Sequence, residues 1–228
     1  MTVLAVIPAR GGSKGVPRKN LRMVANRSLL QRAIRSASSS RIDHILVSTD
    51  DEEIRQAALD AGAEVPFLRS PKLSGDLTTS VDSVANAVST YENWIGKYVS
   101  IVVLLEPTSP FRTVAHVDAA LEMMTAGCYR SVVSVCALER KPENIFIKAA
   151  SLEKYIRDPS ESFSRRQDMK HLCRINSAIY VVGRNDFMLE RRFILEPVGW
   201  IEMSNEESIN IDSELDLELA EIVARRLG

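Results

Sequence analysis

The sequence has little cysteine, and its few cysteines form no recognisable pattern. Only three occur in 228 residues: Cys128, Cys136 and Cys173. An odd number without a C-x-x-C spacing predicts neither a disulfide framework nor a cysteine-ligated zinc site. The three histidines are scattered and indicate no zinc cluster or catalytic triad. We therefore expect a cytoplasmic protein kept in a reducing compartment.

Long hydrophobic runs and a net charge of either sign are also missing. No stretch approaches the ~20 apolar residues of a membrane span, and the opening run from Val3 to Ile7 is too short for the core of a signal peptide. The formal net charge is −1, which argues against a general nucleic-acid binder. The sequence therefore predicts neither a membrane nor a nucleic-acid partner.

The small net charge hides a strong segregation of charge along the chain. Residues 1–42 contain nine lysines and arginines and no acid, whereas residues 193–224 contain nine acids and no lysine or arginine. If the fold brings these two ends together, a polyanion and a metal cation could be held between them. The alternative is that many of these charges lie on solvated helix faces.

Short apolar runs alternate with amphipathic stretches along most of the chain. The runs predict buried strands at 3–7, 44–48, 99–105, 131–135 and 177–182. Helical spacing predicts helices at 28–39, 52–61, 80–94, 114–126 and 213–227, with Gly62 and Gly127 placed as C-terminal caps. This alternation predicts an α/β fold, with a mostly parallel sheet flanked by helices.

Residues 139–174 break the alternation. The segment is basic and contains two β-prone pieces, IFIKA and LEKYI, separated by a turn. We interpret it as an insertion, with a hairpin arm, in a single domain that spans 1–228. An arm of this kind often reaches a second subunit.

The first predicted strand is followed by a basic, glycine-rich loop at residues 8–20. Ligands of open α/β sheets bind at the carboxyl ends of the strands, so this loop is a candidate phosphate site. Its glycines allow backbone N–H groups to approach phosphate oxygens, and Arg10 and Lys19 can neutralise a triphosphate. Its spacing fits neither the Walker nor the dinucleotide-binding motif. A flexible basic turn is the alternative interpretation.

At this loop the chain resembles the CMP-sialic acid synthetase family. The resemblance rests first on Ala9-Arg10, Ser13-Lys14-Gly15 and Lys19-Asn20. It continues in the same order through Val47 to Asp50, Arg69 to Ser80, Pro107 to Pro110 with Arg112, Arg174 with Asn176, and Ser208 to Leu217. Essentially the whole chain is covered.

The resemblance implies a Rossmann-like nucleotide-diphosphosugar transferase fold that binds CTP. The phosphates would then lie among four residues of the first loop: Arg10, Ser13, Lys19 and Asn20. Cytosine and ribose would lie near Arg69, Thr79 and Ser80. The alternatives are that Arg69 is a surface arginine and that Thr79 and Ser80 cap a helix.

The resemblance also implies a set of residues that contact the sugar. The set consists of Glu106, Thr108, Arg112, Arg174, Asn176, Tyr180 and, from the partner subunit's dimerisation arm, Arg166. Each of these assignments has an alternative. The proline-flanked loop that holds Arg112 could be a purely structural turn. Tyr180 could equally belong to the core, and Arg166 alone would be a basic surface residue.

Asp212 precedes the last predicted helix and has two interpretations. It is a helix N-cap, or it binds Mg²⁺, which prefers oxygen ligands and is usually held by one or two carboxylates together with substrate phosphates. Asn210 stands where the family often has a second aspartate, which removes one charge from a metal site formed by these two residues. We therefore expect weaker Mg²⁺ binding than in relatives.

The resemblance implies transfer of CMP from CTP to the anomeric hydroxyl of a nine-carbon acidic sugar. Mg²⁺, Arg10 and Lys19 would stabilise the developing charge, which gives Arg10, Lys19 and Asp212 catalytic roles. Glu106 replaces a glutamine common in the family, which favours a relative of sialic acid as substrate. Two rival interpretations remain: an eight-carbon keto sugar acid as substrate, and a catalytically silent nucleotide-binding dimer.

Overall fold

The structure is a computed structural model that describes residues 1–13, 15–39, 41–73, 75, 78–138, 146–149, 152–155 and 172–227. Ten strands occur in this part of the chain: β1 Val3–Pro8, β2 Met23–Val24, β3 Arg27–Ser28, β4 His44–Ser48, β5 Ile101–Leu104, β6 Ser131–Ala137, β7 Phe146–Ala149, β8 Leu152–Tyr155, β9 Cys173–Gly183 and β10 Val198–Glu202. Its α-helices are α1 Leu29–Ser36, α2 Glu52–Asp60, α3 Ser80–Ile95, α4 Val114–Thr125, α5 Arg184–Glu190 and α6 Glu214–Leu227.

Six strands form the main sheet, in the order β10-β6-β9-β5-β1-β4. Strands β4, β1 and β5 pair in parallel, as do β10 and β6, whereas β9 is antiparallel to both of its neighbours. The carboxyl ends of the five parallel strands therefore meet at one edge of the sheet. The predicted α/β fold with a mostly parallel sheet is confirmed.

Alternation of apolar side chains places helices on both faces of the sheet. On one face Ala5 and Ile7 of β1 pack with buried residues of α1, α2 and α4. On the other face Leu4 and Val6 pack with α3 and α5. Helix α6 packs in a third cluster with Leu29 and Phe111. These buried strands hold the loops at their carboxyl ends in place.

The predicted strands and helices all appear, with small shifts at their ends. Gly62 and Gly127 follow α2 and α4 with φ of 87° and 79°, as expected for C-terminal caps. Sequence reasoning missed α5, β10 and the short pair β2 and β3. Strand β10 is a short edge strand whose Gly199 gives it no apolar run, and a Cβ there would lie 2.7 Å from the sulfur of Met123.

Part of the predicted arm is described. Strands β7 and β8 pair as an antiparallel hairpin, with Phe146 opposite Tyr155, which confirms the hairpin. Most of the remaining inserted segment, including Arg166, lies outside the described residues. In the described part of the chain, no helix combines the length and apolar character needed to cross a bilayer.

Candidate active site

The glycine-rich loop is fixed to the neighbouring strand by its backbone. After β1 ends, the Ala9 amide donates to the Ser48 carbonyl at 2.9 Å, and the Gly11 amide donates to Asp50 Oδ1 at 2.9 Å. A Cβ on Gly11 would lie 2.6 Å from Asp51 Oδ2, so only glycine fits this approach. Sequence reasoning gave Asp50 no role, although its place directly after a buried strand at the ligand-binding edge could have indicated one.

The second half of the loop lies against the last strand-to-helix connection. A Cβ on Gly15 would lie 2.1 Å from the Asp212 carbonyl oxygen. Lys19 Nζ donates to the Ile211 carbonyl at 2.9 Å and to Asp212 Oδ1 at 3.0 Å. Asn20, which is buried, donates from Nδ2 to the Arg10 carbonyl at 2.9 Å. The loop is therefore held by a contact within itself, from Asn20 to Arg10, and by residues 211–212 near the other end of the chain.

The two oppositely charged ends of the sequence do meet in the fold. Beside the Lys19–Asp212 pair, Arg22 forms a two-pronged ion pair with Glu214, with N–O distances of 2.7 and 2.9 Å. Glu221 accepts a hydrogen bond from the Ala25 amide at 3.0 Å. The condition stated for the sequence, that the basic and acidic segments come together, is met at these contacts.

The interpretation of Asp212 as a helix N-cap is wrong. Ser213 caps α6, because its Oγ accepts from the Asp216 amide at 3.3 Å and Asp216 Oδ2 accepts from the Ser213 amide at 2.8 Å. The Asp212 side chain is 69% exposed and faces Lys19. Since a neighbouring side chain supplies the cap, the Asp212 carboxylate remains available to a ligand.

Asn210 lies beside this carboxylate and holds it. Its Nδ2 donates to Asp212 Oδ2 at 2.7 Å, and its Oδ1 is buried without a hydrogen-bond partner in the described part of the chain. Among the described residues, no group of three or more His, Cys, Asp or Glu side chains could hold a metal ion by itself. One exposed carboxylate and one amide oxygen fit Mg²⁺ only as a partial ligand set, completed by phosphate oxygens and water.

Three cavities meet at Glu106, which follows β5. The first, of about 260 Å³, is lined by residues that include Pro8, Arg10, Arg69, Ser80 and Glu106. The second, also about 260 Å³, contains Arg10, Ser13, Lys19, Asn20, Glu106, Thr108 and Asp212. The third, about 390 Å³ and more apolar, contains Ser80, Leu104, Glu106, Tyr180 and Phe193. Most residues predicted for the nucleotide, and several predicted for the sugar, are thereby brought together.

The Glu106 carboxylate makes no hydrogen bond to the described residues. Burial raises the pKa of this carboxyl group, and the nearby Asp212 charge raises it further, while Arg112 and Lys19 act in the opposite direction. A carboxyl group with this balance keeps its proton to a higher pH than a solvated glutamate does. It can therefore approach an acidic ligand with less repulsion.

Arg69 and Thr79 each have structural partners. Arg69 is 8% exposed, and its Nη2 lies 3.9 Å from Asp50 Oδ1. Burial lowers the pKa of Arg69, and the Asp50 charge opposes this shift. Thr79 caps α3, with its Oγ1 accepting from the Asp82 amide at 3.1 Å, whereas Ser80 lines two of the cavities. The buried position of Arg69 excludes the surface-arginine interpretation.

The remaining predicted sugar residues lie elsewhere. Arg112 is 5% exposed, does not line the three cavities, and donates to the Ser36 hydroxyl and the Ala178 carbonyl at 2.9 and 2.5 Å. Asn176 is 2% exposed and is held by Ser134 and Ser208. Arg174 is exposed on β9 and lines none of the three cavities. The buried hydrogen bonds of Arg112 and Asn176 could not be predicted from the sequence, because their partners are distant along the chain.

The chain is similar to curated bacterial enzymes over nearly its whole length. It is 33% identical to the CMP-N,N'-diacetyllegionaminic acid synthase of Legionella pneumophila, covering 97% of this chain and 95% of that one. It is 32% identical to the pseudaminic acid cytidylyltransferase of Campylobacter jejuni, covering 98% and 96%. An N-acylneuraminate cytidylyltransferase of Streptococcus agalactiae is 32% identical over 95% of this chain, which spans about half (52%) of that longer protein.

A solved structure shares the fold, and a family profile gives the class. A CMP:2-keto-3-deoxy-manno-octonic acid synthetase in complex with CTP has the same fold, with a TM-score of 0.72, 16% identity and full coverage of both chains. The profile of the cytidylyltransferase family matches residues 4–222. The resemblance predicted from the sequence motifs is confirmed. The chain therefore belongs to the cytidylyltransferase family, among the enzymes of the CMP-sialic acid synthetase type.

Proposed function

We propose that this enzyme transfers CMP from CTP to the anomeric hydroxyl of a nonulosonic acid, a nine-carbon acidic sugar of the sialic type, with release of pyrophosphate. The observation that supports this most is the meeting of three cavities at Glu106, with the basic loop on one side and Asp212 across it. The similar enzymes from Legionella, Campylobacter and Streptococcus are named for acids of this class.

CTP would occupy the two more polar cavities. Arg69, Thr79 and Ser80 would lie at the base and ribose, because the first cavity lies between Arg69 and the start of α3. The triphosphate would lie in the second cavity, where Arg10, Ser13, Lys19 and Asn20 are found. Arg10 lines both cavities, which supports its assignment to the phosphate nearest the ribose.

The acidic sugar would occupy the third cavity. Its more apolar wall, which includes Tyr180 and Phe193, suits the carbon face of a sugar and its substituents, while Glu106 and Thr108 mark the boundary with the phosphates. Because burial raises the pKa of Glu106, this side chain repels the sugar carboxylate less than a solvated glutamate would. A glutamate at this position favours a relative of sialic acid, of the legionaminic or pseudaminic type.

The reaction is an in-line displacement at the α-phosphorus. The anomeric oxygen forms a bond to phosphorus as the bond to the bridging oxygen of pyrophosphate breaks, and the hydroxyl proton passes to water. Arg10 and Lys19 stabilise the negative charge that develops, which is the main catalytic requirement of such transfers. Lys19 is already oriented for this task, since Ile211 and Asp212 fix its ammonium group.

Mg²⁺ would be held by Asp212 and Asn210 together with phosphate oxygens of CTP. When bound, the ion neutralises triphosphate charge and favours departure of pyrophosphate. The ammonium of Lys19 lies 3.0 Å from Asp212 Oδ1, so this carboxylate already attracts a cation. Asp212 would serve as the charged ligand and Asn210 as its neutral neighbour.

The inserted segment 139–174 would act as a dimerisation arm of the single domain 1–228. The homodimer would place Arg166 against the sugar carboxylate in the partner's site. Arg174, at the base of this segment, would orient the arm, while Arg112 and Asn176 would support the sugar side from behind. The described hairpin of β7 and β8 supports an arm of this shape.

Identification of the product tests this proposal. The protein is incubated with CTP, Mg²⁺ and, separately, N-acetylneuraminic, legionaminic, pseudaminic and eight-carbon keto acids, and the nucleotide products are analysed by mass spectrometry. We expect the CMP adduct of a nine-carbon acid. Preferential formation of the eight-carbon adduct, or CTP binding without any adduct, would instead support one of the two rival interpretations.

A further inference from the structure

A second concave surface lies between α1, the start of α4 and the end of α6. This surface, here called the arginine groove, has a volume of about 460 Å³ and shares no lining residue with the three cavities at Glu106. Four arginines line it: Arg27, Arg32, Arg35 and Arg112. Its size falls within the range of about 300–1,000 Å³ that is usual for small-molecule sites.

The three arginines at the mouth of the groove lack carboxylate partners. Arg27 and Arg35 are exposed, and neither forms an ion pair within the described part of the chain. Arg32 donates from Nε and Nη2 to the Val24 carbonyl, at 3.0 and 2.6 Å, and not to an acid. Burial lowers the pKa of Arg32, and the charges of Arg27 and Arg35 lower it further, while Glu221 opposes them. This cluster of like charges would be relieved by an anion.

Acidic groups around the groove are engaged elsewhere. Glu207 is the acid in its wall, and it accepts hydrogen bonds from the Ser204 amide and hydroxyl and lies 3.7 Å from His116 Nε2. Glu221 accepts from the Ala25 amide at 3.0 Å. These hydrogen bonds leave both carboxylates charged, and the excess of positive charge in the groove comes from its lining, which has four arginines and one acid.

Arg112 supplies a second, independent indication of a ligand. The residue is 5% exposed, and its Nη2 is buried without a hydrogen-bond partner in the described part of the chain. Its other donors are used by Ser36, Ala178 and the Glu106 carbonyl, so Nη2 alone lacks an acceptor. Although burial lowers the pKa of Arg112 to about 9, the guanidinium stays charged at neutral pH. A buried donor without an acceptor is costly unless a ligand or water satisfies it.

We propose that the arginine groove is a second ligand site that binds a phosphate-bearing small molecule. The planar guanidinium groups of Arg27, Arg32 and Arg35 match phosphate oxygens with paired N–H donors, and Arg112 would complete the set from the wall. Phe111, Val114 and Leu227 give the groove an apolar side for the rest of such a molecule. Arg112 also donates to the Glu106 carbonyl at 3.2 Å, so the same side chain supports both sites.

Equilibrium dialysis with pyrophosphate, which measures how many equivalents the protein binds, tests this proposal. The wild-type protein should bind two equivalents, one at the glycine-rich loop and one in the groove. The groove variant Arg27→Gln/Arg35→Gln should bind one equivalent, because the groove loses two of its positive charges. Both changed side chains are exposed, so we expect the variant to fold. The control Arg41→Gln/Lys97→Gln removes two exposed positive charges elsewhere and should still bind two.

A loop variant separates this site from the proposed catalytic site. Arg10→Gln/Lys19→Gln should retain one equivalent, and adding the two groove substitutions should weaken that remaining binding at least ~10-fold, the loss expected for two charge-assisted contacts. Equal binding by the groove variant and its matched control would overturn the proposal. So would a loop variant that binds no pyrophosphate, whatever the outcome for catalysis.

Discussion

Replacing Gly15 by alanine should disable the enzyme by separating the glycine-rich loop from Asp212. The new Cβ would lie 2.1 Å from the Asp212 carbonyl oxygen and 3.3 Å from its carbonyl carbon. Non-bonded contacts of this kind are rarely closer than 3.0 Å, so the loop and the 210–212 connection must separate by about 1 Å. The obstacle is backbone, so a rotation of a side chain cannot relieve it.

Such a separation has two measurable consequences. A displacement of ~1 Å in a positioned reacting group lowers turnover ~100-fold, because Lys19 and Asp212 would no longer face the triphosphate at the proposed site. Overpacking of this size also lowers the free energy of unfolding by ~1–3 kcal/mol. Pyrophosphate release gives kcat/KM for the first effect, and urea denaturation gives the second.

Gly12 in the same loop is the matched control. A Cβ there would meet nothing within 4 Å, and neither Gly12 nor Gly15 has a positive φ, so alanine suits both backbones. Gly12→Ala should therefore keep wild-type activity and stability. If Gly15→Ala were as active as Gly12→Ala, the close packing of the loop on Asp212 would be refuted as a requirement for catalysis.

Three further substitutions test separate parts of the site. Burial raises the pKa of Glu106, so its charge opposes folding as pH rises through that pKa. Glu106→Gln should raise the Tm at pH 8, by an amount that disappears toward pH 4. A difference in Tm between variant and wild type that does not change with pH would contradict this. Asn210→Asp adds a carboxylate beside Asp212 and should lower the Mg²⁺ concentration for half-maximal pyrophosphate release, whereas equal values would exclude weaker metal binding by the natural site. Asn176→Ala should lower the free energy of unfolding by ~1–3 kcal/mol in urea, since Ser134 and Ser208 lose a buried partner; unchanged stability would show that this network is not structural.

The sequence was sufficient to predict the layers of the fold because burial dominates its pattern. The VLAVI run of β1 and the spacing of α3 reflect which side chains must face a core, and this requirement is local. The opposite charges of the two ends left open whether these segments meet, and the structure shows one such contact between Lys19 and Asp212. Strand β10 was missed because Gly199 and the exposed Trp200 leave it without a continuous run of buried apolar residues.

The candidate site was predicted less completely, for reasons of distance along the chain. Arg10, Ser13, Lys19 and Asn20 lie together because one loop carries them. Arg112 shows the limit: its loop is close to Glu106, yet its guanidinium turns to Ser36 and Ala178, which lie 76 and 66 residues away.

Helix capping was difficult to predict for a different, local reason. The choice of Ser213 over Asp212 as the cap of α6 depends on the direction of two adjacent side chains, because Asp216 reaches back to the Ser213 amide. Residue type alone does not determine that direction, since aspartate and serine both cap helices well.

Pyrophosphate release from CTP is the sharpest test of the proposed CMP transfer to a nine-carbon acid. The wild-type protein is assayed with Mg²⁺, with each of CTP, ATP, GTP and UTP, and with nine-carbon or eight-carbon keto acids, beside Arg10→Gln and the surface control Arg41→Gln. We expect release that requires both CTP and a nine-carbon acid, that is lost in Arg10→Gln and that is retained in Arg41→Gln. Release with an eight-carbon acid alone, or undiminished release by Arg10→Gln, would contradict it.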